Sequence, residues 1–118
     1  MQHPHPKRDQ TDKPWGSFES LTLNEATTVK ILTIKAGEAL SLQSHAYRDE
    51  WWIVLDEAMR VVLDDKHILL AKGDELFIPR GTKHRIIGLT TTCRWLEIAY
   101  GEFLEADITR YEDKYNRI

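Results

Sequence analysis

Cysteine is almost absent from this chain of 118 residues, and that scarcity narrows its chemistry first. Cys93 stands alone, which excludes an internal disulfide framework and a zinc site built from several thiolates. Long apolar runs are missing too. The longest are strand-sized, such as Trp51-Trp52-Ile53-Val54-Leu55, far short of the roughly 20 residues a membrane span needs. Residues 1–13 are polar and carry no apolar segment of the kind that opens a secretory leader. Neither sign of charge dominates: 16 Lys plus Arg face 19 Asp plus Glu, for a net charge of −3. With no basic cluster, there is no electrostatic case for nucleic acid. No glycine-rich phosphate loop, internal repeat or low-complexity tract is present. These absences lead us to expect a cytoplasmic protein with no membrane and no nucleic-acid partner.

What is present is a strand pattern. The length supports one domain and one core, with enough apolar surface to fold without staples. Residues 1–12 hold no apolar periodicity and contain Pro4 and Pro6, so they read as a flexible arm in which His3 and His5 are held by nothing. The folded domain is expected over 13–118. Within it, 29–34 is rich in β-branched residues, 39–45 alternates, and 50–55 is aromatic and β-branched. Segments 59–63 and 67–71 flank Asp64-Asp65-Lys66, a hairpin turn; 76–79, 84–88 and 93–100 complete the set. Many strands of about five residues, with turn signals every 8 to 12, predict an all-β sandwich or barrel. Only 103–113 reads as a short helix, charged and free of proline.

The residues that carry chemistry fall in two stretches. Side chains at i and i+2 of a strand share a face, so Gln43 and His45 point the same way, and Glu50 opens the next strand. Further on, a Pro79-Arg80-Gly81 turn delivers His84 onto another strand. Gly37, five residues, Gln43, one residue, His45, four residues and Glu50 resemble the first motif of the cupin superfamily. Gly73, five residues, Pro79-x-Gly81, two residues and His84 resemble the second. The resemblance implies a small double-stranded β-helix, the cupin jelly roll, with Gln43, His45, Glu50 and His84 as ligands of one divalent metal.

A narrower likeness covers residues 13–117. Lys13-Pro14-Trp15-Gly16-Ser17-Phe18-Glu19, Leu40-Ser41-Leu42-Gln43, Gly81-Thr82-Lys83-His84-Arg85 and Asp107-Ile108-Thr109-Arg110-Tyr111-Glu112-Asp113 resemble type II mannose-6-phosphate isomerase cupins. Such a cupin is often the C-terminal module of bifunctional mannose-1-phosphate guanylyltransferases. Gln43 in place of the first cupin His is itself typical of phosphomannose isomerases. Some positions depart: Ala46, Tyr47 and Trp51 stand where that family often has His, Ile31 where Arg is usual, and Glu57 where a Gly closes the first motif. That pattern suits a retained metal with an altered substrate.

The likeness implies a metal-dependent aldose–ketose isomerase acting on a sugar or sugar phosphate, and a homodimer. The mixed N/O ligand set suits zinc, iron, manganese, cobalt or nickel without selecting among them; zinc is the first expectation, with the others as alternatives. Trp52, two residues past Glu50, is expected to face the interior, where it either stacks on a sugar ring or fills the core. Arg48, Arg80, Lys83 and Arg85 lie near the motifs; of these Arg48, Lys83 and Arg85, with Trp52, are the expected substrate contacts, guanidinium forks suiting phosphate. The general base is not assigned; Lys35, Tyr47 and His67 qualify by chemistry alone. Trp51 is expected to point away from the pocket, into a sheet or subunit contact. Trp15 and Trp95 are expected to pack, Cys93 to be a small core residue, and 107–113 to clasp the C-terminus. Two other functions fit the same fold: a non-catalytic carbohydrate-sensing cupin, and a mononuclear iron dioxygenase, which the scarcity of histidine ligands disfavours.

Overall fold

The computed structural model describes residues 9–118. It contains β1 (Asp9–Lys13), β2 (Gly16–Ser20), β3 (Thr27–Ile34), β4 (Leu42–Ser44), β5 (Arg48–Val54), β6 (Met59–Leu63), β7 (Lys66–Leu70), β8 (Glu75–Ile78), β9 (His84–Gly88), β10 (Cys93–Gly101) and β11 (Thr109–Glu112). One sheet has the order β3-β10-β5-β8 and the other β11-β4-β9-β6-β7, with every pairing antiparallel. β1 and β2 form a separate ribbon with largely exposed side chains. Chain neighbours are seldom sheet neighbours, which is the jelly-roll way of folding an antiparallel ribbon over itself.

Alternation decides what lies inside. Along β5, Arg48, Glu50, Trp52 and Val54 are all buried and share one face. Along β10 the inward row is Cys93, Trp95, Glu97 and Ala99. Register sets Val54 beside Trp95 and Trp52 beside Glu97, so the interior changes character along its length. One end is apolar, filled by Ile34, Val54, Met59, Val61, Ile86, Cys93 and Trp95. Each large side chain buried there contributes about 1.5–3 kcal/mol. The other end is polar and holds His45, Glu50, His84 and Glu97. Trp51 lies on the outer face of β5, as its odd position requires, but the chain covers it itself: it is 2% exposed, packed with Ile98, Tyr100, Leu21 and Phe77. It is therefore not an exposed subunit contact.

Two glycines fix the approach of the second motif. Gly81, at φ +83, is the third residue of a turn closed by Thr82 N–H donating to the Pro79 carbonyl at 3.1 Å. Its own N–H donates to the His45 carbonyl at 2.7 Å, which ties the two motifs together. Gly88 packs its α-carbon against the 35–38 turn, where any Cβ would collide with the Lys35 carbonyl.

Further expectations are revised. Trp15, expected to pack, is 74% exposed. Residues 103–113 contain no helix: a turn leads into β11, which pairs with β4. The β-branched pair Ile108-Thr109 and the open edge of β4 outweigh a weak helical preference. Of the arm expected over 1–12, the portion from Asp9 belongs to β1; residues 1–8, with His3 and His5, lie outside the described residues.

Cys93 is completely buried, and burial, with the charge of Asp56 adding to it, raises its thiol pKa. We expect no labelling by a thiol reagent in the native protein and one label per chain in denaturant. Rapid native labelling would show that this end of the barrel opens.

Candidate metal centre

His45 follows β4, Glu50 lies in β5 and His84 opens β9. The Gln43–His84 pairing between β4 and β9 and the Gly81–His45 bond bring the three together. His45 Nε2 lies 3.5 Å from Glu50 Oε2, and His84 Nε2 lies 3.8 Å from Glu50 Oε1. The three candidate ligand atoms all fall within 4.8 Å of one another. The residues are 5%, 2% and 1% exposed for His45, Glu50 and His84, so little water competes for them.

The outward nitrogens fix how the rings present themselves. His45 Nδ1 donates to the Asp107 carbonyl at 2.7 Å, and His84 Nδ1 donates to the Thr82 carbonyl at 2.9 Å. A carbonyl only accepts, so each Nδ1 carries hydrogen and each Nε2 is left with its lone pair for a neutral ring. Burial lowers the pKa of His84, against the opposing charge of Glu50, and keeps the ring neutral. His84 Nε2 has no hydrogen-bond partner among the described residues. A buried lone pair without a donor is costly, and a divalent cation between these three groups removes that cost. The residues present fit such an ion.

Neighbouring groups hold the donors in place. Arg48 Nε donates to Glu50 Oε2 at 2.9 Å, and its Nη2 donates to His45 Nε2 at 3.3 Å. The Trp52 indole N–H is shared between Glu50 Oε1 at 3.2 Å and Glu97 Oε1 at 3.1 Å. Trp52 also stands edge-on to the His84 ring, at 5.5 Å between centroids. Glu97 is pushed up to about 8, first by burial and then by the charge of Glu50, so it carries a proton at neutral pH. The Asp107 carboxylate accepts the Ala46 and Tyr47 N–H groups at 2.8 and 2.9 Å. The 107–113 segment thus clasps the first motif as well as the C-terminus.

Beside the three candidate ligands lies a cavity of about 140 Å³, lined among others by Gln43, His45, Arg48, Glu50, Trp52 and Glu97 but not by His84. Gln43 accepts from the Ser41 hydroxyl at 3.0 Å through the oxygen expected to bind metal. Of the expected substrate contacts, Arg48 and Trp52 line this cavity, whereas Lys83 and Arg85 do not. Lys83 sits over the Tyr111 ring, and Arg85 binds the Leu40 carbonyl and Glu112. The physical reason is the strand period: residues on either side of inward His84 point outward. Arg80 pairs with Asp49. Lys35, Tyr47 and His67 are exposed and line no part of the cavity. Nor do Ile31, Ala46, Tyr47, Trp51 and Glu57, so the departures from the family pattern leave its wall untouched. Sequence reasoning missed Glu97, Lys30 and Arg110 in that wall. The signal for Glu97 was present, as a carboxylate within the inward row of Cys93, Trp95 and Ala99.

A jelly roll whose two motif turns converge imidazole nitrogens and a carboxylate on one buried point is a cupin. The chain belongs to the mannose-6-phosphate isomerase C-terminal family, whose sequence profile matches residues 2–113. It is 33% identical over 118 residues to the mannose-1-phosphate guanylyltransferase ManC of Salmonella typhimurium, covering 98% of this chain and 25% of that protein. It is 38% identical over 107 residues to the alginate biosynthesis protein AlgA of Pseudomonas aeruginosa, covering 89% and 22%. The chain thus spans about a quarter of the length of these curated relatives. Among solved structures, a 3,4-ketoisomerase from Helicobacter canadensis superposes with a TM-score of 0.66 at 18% identity, over 87% of this chain and 86% of that one. The capsular polysaccharide assembling protein CapF of Staphylococcus aureus gives 0.64 at 19%, over 90% and 34%. At those identities the likeness concerns the fold.

Proposed function

We propose that this chain is a metal-dependent aldose–ketose isomerase of a sugar phosphate, of the mannose-6-phosphate type, with one divalent ion, zinc first, held by Gln43, His45, Glu50 and His84. The observation that carries this reading is the pair of buried imidazole Nε2 atoms beside Glu50, a carboxylate that lines the cavity together with His45. Family membership supports the substrate class. When bound, such an ion polarises adjacent substrate oxygens and stabilises developing enediolate charge. The chain supplies the rest. Arg48 and Trp52 orient the Glu50 carboxylate through its two oxygens. Glu97 presents a carboxyl facing the same cavity, a group able to hold or release a proton beside the substrate. The packed apolar end of the barrel excludes water from below. A homodimer in the cytoplasm goes with this reading; the exposed Val29 and Ile31 on β3 offer an apolar strip for it.

The test is direct. Protein stripped of metal and reloaded with zinc, manganese or cobalt should interconvert fructose 6-phosphate and mannose 6-phosphate, with activity lost to a chelator and restored by the ion. Saturable sugar-phosphate binding without turnover would replace the isomerase by a sensing cupin. Uptake below about 0.1 ion per chain would remove the metal from the reading altogether.

A further inference from the structure

We infer that Lys30 and Arg110, reaching in from opposite sheets, form an anion subsite of this cavity that takes the phosphate of a phosphorylated sugar. The inference rests on the reading of the cavity as a sugar-phosphate site and adds which residues select the phosphate.

Lys30 lies on β3 of one sheet and Arg110 on β11 of the other, yet both line the cavity that contains His45 and Glu50. Their placement follows from strand register. Lys30 shares its face of β3 with Leu32, which lines the same cavity, and with buried Ile34. Arg110 is the β11 partner of Gln43. The Lys30 side chain is 37% exposed, so its ammonium is open to an incoming anion while its stem lines the cavity.

The cations of this wall are unequally committed. Arg48 is bound to Glu50 and the Leu104 carbonyl, and it stacks on Phe103. Lys30 places its ammonium over the same ring, 4.0 Å from the centroid. Its acidic neighbour is Glu105, 3.5 Å away with 87% of its side chain exposed, a pair that solvent screens and a stronger anion displaces. Arg110 Nε is buried and has no hydrogen-bond partner among the described residues. An unmet charged donor of this kind is costly to keep, and phosphate oxygens satisfy it: a guanidinium offers phosphate a planar fork, and an ammonium adds a point charge. Lys83 and Arg85, the basic residues nearest His84 in sequence, are engaged elsewhere and do not compete for this role.

The experiment measures binding of fructose 6-phosphate and of unphosphorylated fructose to zinc-loaded wild-type protein and to the Lys30→Met, Arg110→Met and Lys83→Met variants. Zinc content and thermal midpoint are recorded for each. Lys30→Met and Arg110→Met should each weaken fructose 6-phosphate by about 10- to 100-fold, the span of one charged hydrogen bond, with zinc content and fructose binding unchanged. Lys83→Met should change nothing, and inorganic phosphate should compete with fructose 6-phosphate only in the wild type and the Lys83 variant. Arg110→Lys, which restores charge without the fork, should recover part of the loss if Arg110→Met folds poorly. Equal affinity for fructose 6-phosphate in all proteins would overturn the inference, as would equal losses for the two sugars. The readout needs no turnover. Phosphate-dependent binding without isomerisation would leave the subsite standing and sink the isomerase; isomerisation indifferent to both variants would do the reverse.

Discussion

Replacing His84 by Ala should empty the metal centre. His84 contributes a buried Nε2 that no group among the described residues satisfies, beside Glu50 and across from His45. Outer partners of a metal ligand are worth roughly 10- to 100-fold in affinity, and removing a ligand itself costs more than that. Metal analysis after dialysis should fall from one ion per chain to a trace, and chelator-induced loss of thermal stability should disappear with it. His67→Ala, on the exposed face of β7, should keep the wild-type metal content. His84→Gln, closer in volume, separates ligand loss from the hole left in the core. Undiminished metal content in both His84 variants would mean that the ion sits elsewhere.

The second large effect concerns Arg48. Its side chain is 9% exposed and that of Glu50 is 2%, so this ion pair is desolvated, unlike the exposed Arg94–Asp56 pair. Breaking a buried pair from one side costs about 3–5 kcal/mol, because the remaining charge has no counter-charge. Arg48→Ala also removes the Leu104 hydrogen bond and the cation stacked on Phe103. Urea denaturation of metal-free protein should show a loss of that size. Arg48→Lys should not restore it, since one ammonium cannot reproduce the fork. Saturating zinc should narrow the gap, because a bound dication supplies positive charge to Glu50 and stabilises the folded state by mass action. A cost under about 1 kcal/mol in the metal-free protein would show that Glu50 is not held as an uncompensated anion.

Most strands were legible because alternation and turn residues agree locally. Asp64 illustrates this: it takes φ 52 in the two-residue loop between β6 and β7, where the sequence shows Asp-Asp between β-branched runs. The convergence of His45, Glu50 and His84 was legible as motif spacing. What stayed hidden depends on sheet order. Glu97 reads as an ordinary polar residue until β10 is known to lie beside β5, which puts it opposite Trp52. Lys30 and Arg110 sit 80 positions apart in the numbering and line one cavity only once the two sheets are packed together. Lys83 and Arg85 misled by closeness along the chain, although the twofold strand period already assigned them to the outer face. Residues 103–113 misled by composition, because the pull of an unpaired strand edge is a property of the assembled sheet.

The bond from His45 to the Asp107 carbonyl spans 62 positions. Without the segment that carries Asp107, every proposed ligand is present, yet His45 lacks the acceptor that fixes its tautomer, and the backbone at Ala46 and Tyr47 lacks its carboxylate. Docking of β11 thereby completes the first motif, so a chain clipped after β10 keeps the same candidate ligands without the bond that orients His45.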